Sequence, residues 1–245
     1  MGEPAPSYAG LTLNPALDRR ALARAFAANG GMVQITDLLV PESAARLHEV
    51  LLRATPWGVA WYENGPRFLR REELAELSGE ARAAMLKGIE ARAGREYQYL
   101  YHCYPLLTAY REHWDDTHLL MRWLEFVNTD IMLGLIREVS GIASIGKADG
   151  QATFYAPGNF LSQHSDQFDE EYWRLAYVMN LTRGWRPDWG GYLQFFNEAG
   201  DVTHALMPRY NVLNIFAVPR LHSVQPVASF AGAPRLSITG WFRDR

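Results

Sequence analysis

Two short motifs in this sequence place an aspartate two residues after a histidine: His113-Trp114-Asp115 and His164-Ser165-Asp166. Such a pair can offer two side chains to one metal ion, provided both point the same way. With 7 histidines among 245 residues, chance supplies about 0.3 such pairs, so spacing alone decides little. Local geometry separates the two. His113 and Asp115 lie in a polar segment of helical character, where neighbours two apart diverge by about 200°; this pair reads as a helix start or a solvated face. His164 and Asp166 close a β-like run, where residues two apart share a face and Ser165 points away. A third ligand must come from further along the chain. His204 and His222, both in later β-like runs, are the candidates. Two histidines and one carboxylate leave three metal positions open, as in non-haem Fe(II) oxygenases. Zinc hydrolases use similar ligands, so the residues alone leave the metal open.

These residues need a scaffold, and the chain has two textures. From residue 17 to about 146 it is mostly helical, with Ala-rich charged segments of period 3.6 at 18–29, 41–54, 71–93 and 118–139. Asp18 and the run Pro41-Glu42-Ser43 are opening signals. In the last segment Leu120, Trp123, Leu124, Val127, Ile131, Leu135 and Val139 form one apolar stripe, predicting a single long helix against a sheet. Short β-like runs lie between the helices at 32–35, 58–62 and 97–104. After about residue 148, strands are expected at 152–155, 160–165, 174–182, 192–196, 203–206, 212–218, 222–227 and 236–242, separated by Gly, Pro, Asn and Asp clusters. Eight strands at this spacing indicate a sandwich, a barrel or a jelly roll. The expected organisation is one domain over 1–245: helical support and flanking strands over 1–147, and a β core over 148–245.

Composition narrows the classes. The chain is 48% hydrophobic and 13% aromatic, which excludes disorder. Cys103 is the only cysteine, which excludes a disulfide scaffold. A formal net charge of −3 with no Lys/Arg run argues against nucleic acid or an anionic membrane as partner. Glu3, Pro4 and Pro6 stand where a signal peptide carries basic and apolar residues, so a soluble, cytoplasmic protein is expected. No heptad or self-complementary patch indicates an oligomeric state.

From Ala152 to Phe242 the sequence resembles the iron- and 2-oxoglutarate-dependent dioxygenases. It is most similar to the prolyl-hydroxylase branch, which includes the hypoxia-type and ribosomal-protein prolyl hydroxylases. The residues that carry the resemblance run in order: Tyr155-Ala-Pro-Gly158, His164-Ser-Asp166, Asn180-Leu-Thr182 and Trp185. Then come Trp189-Gly-Gly-Tyr-Leu193, Pro208-Arg-Tyr-Asn-Val-Leu213 and Phe216. His222-Ser-Val-Gln-Pro226, Arg235-Leu-Ser237 and Gly240-Trp-Phe242 close the series. The resemblance implies an α+β chain with a mainly β core, a double-stranded β-helix (jelly roll) supported by an N-terminal helical layer.

It further implies His164, Asp166 and His222 as Fe(II) ligands, with His204 set aside because it lacks the Val-x-Pro segment that follows His222. Arg235 would hold the far carboxylate of the cosubstrate 2-oxoglutarate, through the two-point geometry of a guanidinium. Tyr155 and Ser237 would donate hydroxyl hydrogen bonds to it. O2 is the other cosubstrate, and ascorbate an optional reductant. Asp166 speaks against the halogenating relatives, which lack that carboxylate. One departure stands out: Asn180 occupies the place of a family tyrosine whose hydroxyl helps to bind the same carboxylate, and is expected to bind the cosubstrate through its shorter amide instead. The activity implied is hydroxylation of a C–H bond, foremost of a prolyl residue in a protein or peptide, with release of succinate and CO2. The alternatives are hydroxylation of a free amino acid or other small molecule, and a non-catalytic jelly-roll module that binds a metal or ligand. Segments 57–69, with a hairpin tip at 61–65, and 168–173 are expected near the substrate. Trp173, Trp185, Trp189 and Trp241 read as core and rim packing, and Cys103 as core among Tyr99, Tyr101 and Tyr104.

Overall fold

The computed structural model describes residues 7–166 and 172–244. β1 (Ser7–Tyr8) and β2 (Leu11–Thr12) pair as a ribbon of their own. α1 (Arg19–Ala28) opens on Asp18, whose carboxylate accepts the Ala21 N–H at 2.9 Å, satisfying a donor that the first turn leaves free. β3 (Met32–Thr36) leads to α2 (Pro41–Glu49), which has Pro41 in its first turn and runs on into one wider turn, Val50–Ala54. The hairpin β4 (Gly58–Tyr62) and β5 (Pro66–Leu69) turns through Asn64 and Gly65, both at positive φ. Then come α3 (Arg71–Glu76), α4 (Gly79–Ala93), β6 (Tyr99–Pro105), α5 (Leu106–Arg111), α6 (Leu119–Val127) and α7 (Asp130–Ser140).

Two segments expected as single helices are broken by polar side chains. Within 71–93, Ser78 caps α4 by accepting the Ala81 N–H at 3.1 Å. Within 118–139 the break falls at Asn128 and Thr129. Asn128 docks on the short strand β7 (Lys147–Ala148): its Nδ2 donates to the Ala148 carbonyl at 2.9 Å, and its Oδ1 accepts the Ala148 N–H at 2.8 Å. Thr129 then caps α7. Side chains that bond the backbone, locally at Ser78 and Thr129 and across to β7 at Asn128, override an apolar period that would otherwise run on.

All eight strands expected after residue 148 are present: β8 (Gln151–Tyr155), β9 (Phe160–His164), β10 (Trp173–Asn180), β11 (Leu193–Phe196), β12 (Val202–Leu206), β13 (Val212–Ala217), β14 (His222–Val224) and β15 (Arg235–Arg243). They lie in one antiparallel sheet in the order β12-β11-β14-β9-β6-β8-β15-β10-β13-β3, with β4 on β6, β5 on β4 and β7 on β15. Four strands, β12-β11-β14-β9, form one wall of a jelly roll, and four, β8-β15-β10-β13, the other. β6 joins the walls by pairing with both β8 and β9.

Alternation along β10 and β15 divides two environments. Leu175, Met179, Leu236 and Phe242 share a buried core with Trp123 and Leu124 of α6 and Leu135 and Val139 of α7. Each such side chain contributes about 1.5–3 kcal/mol on burial, and together they seat the helices on the outside of this wall. Ala176, Val178, Arg235 and Trp241 face inward and line a cavity of about 540 Å³ between the walls.

Candidate metal centre

The histidine that ends β9 and the histidine that begins β14 lie opposite one another in the ladder between those strands. Asp166 follows two residues after His164. His164 Nε2 stands 3.5 Å from one Asp166 oxygen and His222 Nε2 3.6 Å from the other, with the two imidazole centroids 4.1 Å apart. One ligand atom from each residue falls within 4.8 Å of the others, and no second cluster of this kind occurs among the described residues.

Backbone carbonyls orient both rings. His164 donates its Nδ1–H to the Ser162 carbonyl at 3.0 Å, and His222 donates to the Arg220 carbonyl at 2.7 Å. Each bond fixes the tautomer and leaves the Nε2 lone pair free beside Asp166. Burial, reinforced by the neighbouring His164, pushes His222 down to about 4, so its ring is neutral at pH 7 and able to ligate. Burial alone would raise Asp166, but the His164 contact and the fields of both histidines outweigh it and hold the carboxyl below its usual range. Two imidazole nitrogens and one carboxylate, already converged, fit a divalent iron with open positions.

Arg235 lies in the same cavity, paired across β15 and β8 with Tyr155. Its guanidinium is 1% exposed, donates through Nη1 to Ser237 Oγ at 3.1 Å, and sits 5.0 Å from the Tyr155 ring centroid. Its Nε has no hydrogen-bond partner, and no carboxylate among the described residues forms an ion pair with it. Burial lowers its pKa, and among the described residues only Tyr155 works against that shift. A buried cation with a free donor fits a carboxylate brought in from outside. Gly191, at φ +65°, makes room for it, since a Cβ there would come within 3.3 Å of Arg235 Cδ.

The remaining expected residues are placed unevenly. Tyr155 lines the cavity and stacks on Tyr101 at 5.1 Å. Ser237 is buried behind the guanidinium and bonded to Thr153 Oγ1 at 2.8 Å. Asn180 is buried opposite Ser237 but does not line the cavity, and its Oδ1 has no partner. His204 is exposed on β12, away from the cluster. His113 pairs with Asp116 at 3.0 Å on the surface, and Asp115 accepts from Thr117. Trp173 and Trp241 stack at 4.1 Å and line the cavity, whereas Trp185 and Trp189 form an edge contact outside it. Of segment 168–173, residues 168–171 lie outside the described residues.

Sequence reasoning missed a tyrosine wall from the N-terminal half. Tyr62 of β4, Tyr97 just before β6, and Tyr99 line the cavity, with the Tyr97 ring 5.7 Å from His164. The alternation Tyr97, Tyr99, Tyr101, Cys103 carries the signal, since those four share one strand face. Cys103 is core on that face with Tyr99 and Tyr101, but Tyr104 belongs to the opposite one.

Residues 150–243 match the family described as the 2OG-Fe(II) oxygenase superfamily. No curated protein matches the chain at a significant level. Among solved structures, a Pseudomonas putida prolyl-4-hydroxylase is similar at 21% identity and TM-score 0.58, over 93% of this chain and 99% of that one. A Burkholderia pseudomallei oxidoreductase of the 2OG-Fe(II) oxygenase family is similar at 12% identity and TM-score 0.62, over 95% and 93%. A Trichoplax adhaerens prolyl hydroxylase, solved with a hypoxia inducible factor peptide fragment, gives 15% identity and TM-score 0.60, over 92% and 89%. At these identities the likeness is one of fold, and that fold is the jelly roll described above.

Proposed function

We propose that this 2-oxoglutarate-dependent dioxygenase, marked as such by its family match and its His-Asp-His cluster, hydroxylates a prolyl residue within a protein or peptide. One observation carries the substrate class. Among the described residues, Asp166 and Arg235 are the only charged side chains lining the cavity. Both are committed, one to the metal and the other to the cosubstrate. A free amino acid would bring an ammonium and a carboxylate that find no further counter-charge among the described lining residues, and burying them unpaired is costly. A residue inside a peptide brings neither charge, and the wall of Tyr62, Tyr97, Tyr99, Leu161 and Trp173 suits an apolar ring. The prolyl hydroxylase from Trichoplax, solved with a peptide, supports the same reading.

In this reading His164, Asp166 and His222 hold Fe(II) on one face. When bound, iron with 2-oxoglutarate and O2 supplies the oxidation of a C–H bond to C–OH, coupled to release of succinate and CO2. The chain's own residues do the positioning. Arg235 receives the far carboxylate in two-point geometry, with Ser237 steadying the guanidinium and Tyr155 covering its face. The Ser162 and Arg220 carbonyls keep the two imidazoles from turning. The aromatic wall excludes water from the reacting face and orients the target carbon.

Succinate release from 2-oxoglutarate with added Fe(II), without and then with proline-containing peptides, tests the proposal. The expected result is release stimulated by peptide, together with gain of one oxygen atom on a prolyl residue by mass spectrometry. Turnover of free proline in place of every peptide overturns the substrate class. Absence of any Fe(II)-dependent succinate overturns the reaction.

A further inference from the structure

Gln98, between Tyr97 and β6, is fully buried and has all four of its polar heavy atoms bonded. Its side chain stands in for a strand. The β4–β6 ladder ends at Trp61 opposite Leu100, leaving Tyr62 beyond it. Gln98 Oε1 accepts the Tyr62 N–H at 2.8 Å and the Tyr99 N–H at 2.9 Å, and its Nε2 donates to the Tyr62 carbonyl at 2.8 Å. The main chain of Gln98 faces β9. Its N–H donates to Ser162 Oγ at 2.8 Å, and its carbonyl accepts the Ser162 N–H at 3.0 Å. The Ser162 carbonyl is the group that takes the His164 Nδ1–H. An unbroken path of hydrogen bonds thus leads from the β4–β5 hairpin to a metal-binding ring. A second path runs through side chains, with Tyr62 to Tyr97 at 5.2 Å and Tyr97 to His164 at 5.7 Å.

We propose that Gln98 is a positioning residue that couples the hairpin bearing Tyr62 to the metal ligand His164. The proposal rests on the metal-centre reading above. The hairpin forms part of the wall against which a substrate would lie, and His164 sets one edge of the metal site, so one buried amide fixes both. Holding the His164 ring in one orientation stiffens Ser162, Gln98 and the Tyr62 backbone in turn. Because coupling between two sites is reciprocal, a ligand seated on the hairpin tightens the metal site to the same degree.

Cobalt(II) is a suitable probe, since its d–d absorption reports both binding and ligand geometry without turnover. Hydrogen exchange of residues 58–69 is followed with and without Co(II) in the wild-type chain, in Gln98→Leu and in Ser162→Ala. In the wild type, Co(II) slows exchange of the Tyr62 amide by about tenfold. Gln98→Leu still shows the cobalt band, with affinity roughly tenfold weaker, but the slowing shrinks to the part that the Tyr62–Tyr97–His164 ring contacts carry. Ser162→Ala keeps both carbonyl bonds and loses only the Oγ link, so part of the slowing remains; it decides the matter if Gln98→Leu does not fold. Slowing that persists undiminished in the variants, or a wild type that binds Co(II) without any effect on the hairpin, overturns the coupling and leaves the metal centre standing. A wild type with no cobalt band overturns the metal centre, and the coupling with it.

Discussion

The two ends of the cavity are built on opposite plans. At one end, His164, Asp166 and His222 are satisfied before any ion arrives: each imidazole is anchored to a carbonyl, and the carboxylate lies between two rings. At the other, Arg235 is as deeply buried, yet its Nε has no partner and its charge is answered by no carboxylate among the described residues. The first end is preorganised at little cost to the apo fold. The second carries a charge that no described carboxylate answers. On the function proposed above, such a site gives up stability in the empty state so that an incoming anion has a ready counter-charge.

That contrast can be broken most severely at the metal end. Asp166→Ala and His222→Ala are each expected to lower Fe(II)-dependent succinate release by more than about 100-fold, with loss of Co(II) absorption in a direct titration. Arg235→Met sharpens the contrast by moving two quantities in opposite directions. Affinity for 2-oxoglutarate falls by about 2–5 kcal/mol, measured by calorimetry, while the melting temperature of the ligand-free chain stays level or rises. A fall in both would show that the guanidinium is structurally compensated after all.

Acid probes the metal end without mutation. His222 titrates at about 4 in the folded chain against 6.5 as its ordinary value, so between these the unfolded chain binds the extra proton. Stability of the metal-free protein therefore drops as pH falls through that window, by on the order of 2 kcal/mol between pH 7 and pH 5. Denaturant unfolding should show this slope in the wild type and a shallower one in His222→Phe. The smallest effect belongs to Asn180. Because it does not line the cavity and its Oδ1 has no partner, Asn180→Leu should change 2-oxoglutarate affinity by less than about twofold and stability by no more than about 1 kcal/mol, in either direction.

Legibility in the sequence followed the range of the forces involved. The His164–Asp166 pair was readable because a strand's two-residue period is local, and the same period gave all eight strands of the jelly roll. Choosing His222 over His204, and finding Arg235 at all, took resemblance, since nothing in their own neighbourhoods marks them. The break at Asn128 was hidden because its cause, the backbone of Ala148, lies 20 residues away. Gln98 and the tyrosine wall were hidden for the same reason on a larger scale. Tyr97, Tyr99 and Tyr101 showed their alternation, but only the fold shows that they line the cavity, with Tyr97 against His164.

The double role of β6 carries a cost for anyone wishing to trim the molecule. A fragment holding only the stretch that matches the oxygenase family would retain eight strands and lose the one that closes the gap between β8 and β9. Both strands would then present raw hydrogen-bonding edges, which invite pairing with other chains and clumping instead of refolding. The portion matched by the family depends on a strand that lies outside the match.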